Sequence, residues 1–376
     1  MFRQCTIRQP VRKLCTEATP PGVKVAIPEV RDFIMRCMQG VKAKQNHAKA
    51  LADNLTMADY RGHFSHGLNR LDMYVRDIEK GTTVSNAEPY VLKETAATAH
   101  VDGNNVLGPV VGNFCMKTAI QKAKEAGIGF VSARGSNHYG IAGFYALQAS
   151  DVGLMGMSFT NTSPLVIPTR SKKMTLGTNP ISLAAPGMNG DSFVLDMATS
   201  SVALGKIELA EVKKVEIPKG WGADENGIPT QNPAEVTRSG GLLPLGGAEE
   251  TSGYKGYGLA MMVEIFCGIL SGAHYGPNVR RWKVYDSLAD LGQCFIAIDP
   301  EVFEPGFPSR MQDLMDTCRT LPTAEGESDV LVAGDPERQH MAKCESEGGI
   351  TYHQNVINNM NTLALELGIR KMVPCE

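Results

Sequence analysis

No two of the nine cysteines stand in a C-x-x-C pair, and their odd number closes no even framework. That argues against a disulfide-stapled domain and against a cysteine zinc site, and it fits a reducing compartment. Long hydrophobic runs are missing too. The longest, "LAMMVEIFCGIL", is twelve residues interrupted by Glu264, short of the roughly 20 that cross a bilayer, so no membrane span is expected. Charge of one sign is scarce: 37 Lys and Arg against 40 Asp and Glu leave a net charge of -3. So weak a field does not collect phosphate backbones, and nucleic acid is not expected as a partner. There is no G-x-G-x-x-G after a strand, since "GYKGYG" has its glycines in the wrong order and "DGNNVLGPVVG" spaces them too widely. The P-loop, H-E-x-x-H and G-x-S-x-G patterns are absent as well. A standard Rossmann site, P-loop phosphoryl transfer and zinc hydrolysis therefore have no motif, and no metal is expected.

What is present is a 376-residue chain, 43% hydrophobic and 20% charged, with ample material for a core and the length for two lobes. Its first 22 residues carry Arg3, Arg8, Arg12 and Lys13 against Glu17 alone. That basic pattern fits either a mitochondrial import segment or a plain tail, so the expected location is cytoplasmic or mitochondrial. From residue 27 to 62, Val30, Phe33, Ile34 and Cys37, then Ala48, Leu51, Ala52 and Leu55, recur at the helical period. The pattern then changes. "YVLKETAATAHVDG" reads as strands, "GNFCMKTAIQKAKEAG" as a helix, and "IGFVSAR" as a strand. Three further strand candidates, "GLMGMSFTN", "NPISLAAP" and "SFVLDMA", are separated by Pro, Gly and Asn clusters and not by helices. Parallel neighbours need a crossover of a dozen or more residues, so much of this sheet should be antiparallel. Residues 217–253 read as a long surface excursion, "KGYGLAMMVEIFCGILSGA" as a buried helix, and three amphipathic helices complete the tail.

Two clusters carry chemistry. A helix beginning at Ser65 in "SHGLNRLDMY" would set His66, Arg70 and Tyr74 at i, i+4 and i+8 on one face. A 2-oxo or 2-hydroxy acid needs such a set: a guanidinium fork for the carboxylate, a phenol to steer it, and an imidazole for the hydroxyl proton. The plainer reading is a solvated face with Ser65 as N-cap. His63 reads as a bystander. In "ARGSNHYGIAGFYALQA" a strand passes into a helix starting near Gly140, and His138 in that turn is either a second proton carrier or cofactor contact, or a structural histidine. "TNTSP", "GTNP" and "LDMATS" end strand candidates with hydroxyls and backbone donors, which together suggest one ligand edge. Asp196 is the candidate buried carboxylate.

In order along the chain, "SHGLNRLDMY", "SNHYG", "GTNPIS", "LDMATSSVALGKI", "IPKGWGADENGIPT", "LPLGG", "KGYGLAMMVEIFCGILSGA" and "AGDPER" resemble the malate/L-lactate dehydrogenases of the non-Rossmann, nicotinamide-dependent type. The resemblance runs from about residue 25 to the C-terminus. It implies an α/β (α+β) fold with a mostly antiparallel central sheet binding NAD or NADP, a helical lobe built from both chain ends, and a homodimer. The expected division is residues 23–95 with 310–376 as the helical lobe and 96–309 as the cofactor-binding sheet. By the family's pattern His66 handles the proton with Ser65 in support, Arg70 and Tyr74 hold the substrate, and Asp196 lies beside the catalytic histidine. In some members the histidine matching His138 has the acid/base role. Thr162, Asp196, Met197, Ala198, Gly246, Gly334 and Asp335 match positions that line the cofactor. Ala333 departs from the pattern, which usually has proline before "GD". The implied substrate is a small 2-hydroxy or 2-oxo acid, malate or L-lactate foremost. The family's range also leaves open a cyclic imino acid or ureidoglycolate-type substrate. A non-catalytic binding protein of the same fold is the remaining alternative, set against the intact His and Arg cluster.

Overall fold

The computed structural model describes residues 22–282 and 284–375, so all but the last residue of the basic N-terminal segment lies outside the described residues. A seven-stranded sheet forms the centre. Its order is Tyr90–Glu94, Thr98–Asp102, Ile128–Ser136, Leu291–Ile298, Met155–Thr160, Ile181–Pro186, Ser192–Met197. The one parallel pair, Thr98–Asp102 beside Ile128–Ser136, is bridged by helix Gly108–Ala126, the only stretch here that supplies a crossover. The other five pairings are antiparallel. This is the mixed α/β architecture with a mostly antiparallel sheet expected from the helix-poor spacing of residues 151–200.

Strand Leu291–Ile298 comes last in sequence yet lies mid-sheet, which accounts for its near-continuous burial. Cys294 and Ile296 face Val263 and Cys267 of helix Gly253–Glu264 and its π-helical continuation, Ile265–Ile269. Phe295 and Ala297 alternate to the other face, against Val131, Cys115 and Ala119. A separate apolar cluster draws on both chain ends. Phe33, Ile34, Leu51 and Leu55 from helices Ile27–Gly40 and Gln45–Tyr60 pack with Ile357, Met360 and Leu363 of helix Gln354–Glu366. Strand Val23–Val25 pairs antiparallel with Ile350–Tyr352 and ties the two ends together. Helix Phe307–Arg319 lies instead against the sheet edge, where the Gln312 side chain accepts from Met188 N–H at 3.0 Å.

Two expectations need correction. The excursion 217–253 is structured. Short strands Gly222–Ala223, Pro229–Thr230 and Gly241–Leu242 form a three-stranded sheet with helix Pro233–Arg238. Ile217, Val236 and Leu242 give that unit its own apolar cluster, against Ile207 of helix Leu204–Lys213. The helix over "KGYGLAMMVEIFCGILSGA" is buried on one face only. Tyr254, Met261, Ile265 and Ile269, spaced by seven, four and four residues, lie on its outer side with Leu270 beside them, and all five are 41–55% exposed. Hydrophobic composition all round predicts burial all round, but in the single chain only the inner face meets the sheet.

Candidate active site

The turn before helix Leu71–Glu79 does not begin as the sequence suggests. Ser65 and His66 lie in an irregular turn, and helical structure starts with the 3₁₀ segment Leu68–Arg70. The cap comes from outside the motif: Asp59, at the end of the preceding helix, accepts from Leu68 N–H at 2.8 Å and from the Tyr352 hydroxyl at 2.9 Å. Gly67 is required there, because a Cβ would sit 1.8 Å from the Asp59 Oδ1. With capping supplied by Asp59, the Ser65 hydroxyl is released from that role and meets His66 Nδ1 at 2.8 Å. Arg70 Nε donates to the Ser65 carbonyl at 2.6 Å. That bond occupies Nε and holds the guanidinium against the turn, with the charge of Glu208 acting on it.

The turn after strand Ile128–Ser136 brings His138 to the same place. Its ring lies 5.7 Å from that of His66, nearly parallel at 19°. His138 Nδ1 receives the Tyr74 hydroxyl at 2.6 Å and the Gly140 N–H at 3.3 Å. An Nδ1 accepting from a backbone amide puts the proton of the neutral ring on Nε2. Tyr74 thus reaches the site through His138 and does not line the cavity itself. Burial pushes His66 down to about 4, with the positive charge of Arg70 and the neighbouring His63 adding to the effect. Burial also depresses His138, helped by His66 and Arg70. Two imidazoles this close to each other and to a guanidinium resist holding a second proton. The pair therefore stays neutral at neutral pH. Burial raises the Tyr74 phenol and keeps it protonated.

Ser65, His66, Arg70 and His138 line a cavity of about 540 Å³. The strand ends and their loops line it as well, with Thr160, Thr162, Thr178, Asp196, Met197 and Ala198. Thr162 N–H donates to Asn179 Oδ1 at 3.0 Å, and the Asn179 and Asn161 amides donate to the buried Glu264 carboxylate at 2.9 and 3.1 Å. That internal carboxylate fixes the two loops carrying the hydroxyl edge. Asp196 Oδ2 accepts from Gly143 N–H at 2.7 Å; burial raises its carboxyl, opposed by His63 and Arg61. The start of helix Leu204–Lys213 also lines the cavity, with Ala203, Leu204, Gly205 and Lys206. A Cβ at Gly205 would meet open space.

Of the expected site residues, Ser65, His66, Arg70, His138, Thr162, Asp196, Met197 and Ala198 therefore share one cavity. Gly246, Gly334 and Asp335 lie off its wall. Gly246 holds φ +96° in the loop behind Leu245, which does line the cavity. Gly334, at φ +103°, follows Ala333, whose carbonyl accepts from Val194 N–H at 2.9 Å on the edge strand. That link uses only the carbonyl of residue 333, so alanine there keeps it. Asp335 is saturated: Arg319 and Arg338 donate to Oδ1, and Arg319 and Val332 N–H to Oδ2. Sequence reasoning missed several wall residues. His63, read as a bystander, lines the cavity and pairs with Glu337 at 3.4 Å. Lys206, Trp221 and Trp282 line it as well. The Arg70 guanidinium lies over the Trp282 ring at 5.3 Å, and the His138 ring meets the indole at 5.7 Å, tilted by 54°. The one signal available was scarcity, since the chain has 2 tryptophans and both face this cavity. Among the described residues no group of His, Cys, Asp and Glu is arranged to hold a metal ion, and no helix is long and apolar enough to cross a membrane.

A buried arginine, two neighbouring imidazoles and a hydroxyl-lined edge on a non-Rossmann sheet are the setting of a class: oxidoreductases of small hydroxy acids. Residues 25–361 match the family described as malate/L-lactate dehydrogenase, and the chain belongs to that family. It is 39% identical to the malate dehydrogenase of Pyrococcus abyssi, over 93% of this chain and 96% of that one. It is 38% identical to the L-sulfolactate dehydrogenase of Methanocaldococcus jannaschii, over 90% and 96%. The solved structure of malate dehydrogenase from Pyrococcus horikoshii OT3 superposes with a TM-score of 0.86 at 37% identity, covering 93% of this chain and 97% of that chain.

Proposed function

We propose that this protein is an NAD(P)-dependent dehydrogenase of a small 2-hydroxy acid, with malate or L-lactate as the foremost substrates. One observation carries the reading: Arg70 and the neutral His66 share a single cavity with an edge of threonines, the strand ends and a helix start that bears Lys206. That helix start suits a dinucleotide. The first helical turn offers amides and the positive dipole end, Lys206 adds a cation, and Gly205 leaves the approach open. Thr162, Thr178, Met197 and Ala198 are the residues proposed to hold the nicotinamide end. When bound, the nicotinamide accepts the hydride from the substrate carbon or returns it.

The chain's own residues do the rest. The terminal nitrogens of Arg70 grip the carboxylate in a two-pronged bond and fix the α-carbon. His66 Nδ1 is occupied by Ser65, so Nε2 is the nitrogen proposed to take the hydroxyl proton as the carbonyl forms, and to give it back in reduction. The carboxylate on Arg70 cancels part of the charge that depresses His66, so substrate binding raises the basicity of the imidazole at the moment it is needed. His138, steadied by Tyr74, keeps the second face of His66 uncharged. The exposed apolar stripe Tyr254, Met261, Ile265, Ile269 supports a homodimer as the working form. The test is a matrix of purified protein with NADH or NADPH against oxaloacetate, pyruvate, 3-sulfopyruvate and a cyclic imino acid, followed by absorbance of the reduced cofactor. Turnover of one or more 2-oxo acids supports the reading, and turnover of the imino acid alone overturns it.

A further inference from the structure

On the far side of Arg70 lies a second cavity, of about 490 Å³, between helix Leu71–Glu79, helix Gln354–Glu366 and the loop before strand Leu291–Ile298. Arg70 and Trp282 are the two residues that line both cavities. The partition is therefore one guanidinium over one indole, at 5.3 Å. Arg70 is fixed by its bond to the Ser65 carbonyl. The segment carrying Trp282 is anchored two residues earlier, where Arg280 pairs with the buried Asp77 at 2.9 Å, donates to the Ser287 carbonyl at 3.0 Å, and accepts through its own carbonyl from the Ser163 hydroxyl at 2.7 Å. Beyond the indole the second cavity is lined by Met73 and the buried Met360 and Leu363, and by Arg76 with its ion-pair partners Asp72 and Glu366, with Asn359 at its exposed side. An acid whose carboxylate sits on Arg70 has its α-carbon at His66, and Trp282 closes the space beside both.

We propose that Trp282 is the residue that sets substrate size: it closes the catalytic cavity at the carboxylate grip, and its removal joins the two cavities and admits 2-oxo acids with a bulky apolar tail. This rests on the proposed function above. In the native chain the indole limits the site to short acids and also holds the Arg70 fork in plane through the cation-π contact. Without it, Met73, Met360 and Leu363 offer the apolar part of the second cavity to a phenyl group, while Asp72, Arg76 and Glu366 remain paired with one another.

The experiment compares oxaloacetate with phenylpyruvate in the wild type, Trp282→Ala, Trp282→Phe and the double variant Trp282→Ala/Asn359→Trp. The ratio of kcat/KM for phenylpyruvate over oxaloacetate should rise on the order of 10- to 100-fold in Trp282→Ala, the span one side chain's pocket contacts provide. Trp282→Phe should rise less, which keeps the comparison available if the alanine variant folds poorly. Refilling the second cavity from Asn359 should return the ratio to near the wild-type value. An unchanged ratio in both Trp282 variants, or a gain that persists with Asn359→Trp, overturns the proposal. If the wild type turns over no 2-oxo acid, the functional reading fails and the partition is judged by binding alone. Calorimetry with 3-phenylpropanoate should then show binding to Trp282→Ala and none to the wild type, and equal behaviour of the two proteins overturns it.

Discussion

Asp59→Asn should remove a pH dependence from the stability of the fold. Asp59 is 1% exposed, and among the described residues its Oδ1 has no hydrogen-bond partner while Oδ2 serves Leu68 N–H and the Tyr352 hydroxyl. Burial outweighs those two bonds and pushes the carboxyl from 3.8 up to about 7. A carboxyl raised in this way keeps its proton in the folded state while the unfolded chain releases its own. The destabilisation therefore begins as pH rises past the unfolded value, grows toward neutrality and is complete above the folded value. With one pH unit worth about 1.4 kcal/mol, those two values give a loss of roughly 2.5 kcal/mol between pH 5 and pH 8. Asparagine does not titrate, and its amide oxygen still caps Leu68. Guanidinium unfolding of both proteins across that range, followed by tryptophan fluorescence and circular dichroism, should show the variant gaining about 2.5 kcal/mol on the wild type from pH 5 to pH 8. Parallel pH profiles, with a double difference under about 0.5 kcal/mol, refute the reasoning.

Arg70→Lys should lower kcat/KM for the carboxylate substrate on the order of 10-fold or more, because an ammonium offers no two-pronged grip and a charge-assisted bond is worth roughly 1.5 to 3 kcal/mol. Steady-state kinetics with the cofactor saturating checks it, and unchanged constants remove Arg70 from the site. Arg319→Met strips donors from Asp191 and Asp335, whose carboxyls the guanidiniums hold below the usual range, Asp191 down to about 2. Depressed carboxylates stabilise the fold above their unfolded values and lose that contribution as pH falls through the folded ones. The variant should thus be roughly 2 to 3 kcal/mol less stable at pH 7, with the gap narrowing on acidification, as thermal unfolding at pH 7 and pH 3 would show. A gap that widens in acid contradicts the assignment.

The strands and helices were legible where apolar spacing repeats. Val30, Phe33, Ile34 and Cys37 announced their helix, and the Pro, Gly and Asn clusters between "GLMGMSFTN" and "SFVLDMA" announced hairpins. The site was legible as a set of residues, not as a geometry. Reading a helix from Ser65 failed because the cap is Asp59, on the preceding helix, and no local rule connects it to Leu68. The convergence of His66 with Arg70 survives because a turn pinned by Arg70 Nε replaces the helical face. Trp282 and His63 sit in irregular segments where no period marks a side chain as inward, and their placement depends on distant partners, the Arg280 to Asp77 pair and Glu337. The apolar stripe of helix Gly253–Glu264 reads in sequence like a buried helix because composition does not say which neighbour covers it.

The account stands on His66 as the group that carries the proton while Arg70 holds the acid. The most direct measurement is the turnover of His66→Asn and His138→Asn in oxaloacetate reduction at saturating cofactor across pH 5 to 8, with cofactor binding followed separately through quenching of Trp221 and Trp282. The prediction is a loss of ~10²- to 10⁴-fold in kcat for His66→Asn with binding retained, and a smaller loss for His138→Asn. In the wild type, log kcat/KM for reduction should fall with rising pH, because an imidazole held near 4 is protonated in an ever smaller fraction of the free enzyme. Near-normal turnover in His66→Asn together with its abolition in His138→Asn would reverse the two roles and leave the Ser65 to Arg70 turn as a substrate clamp only.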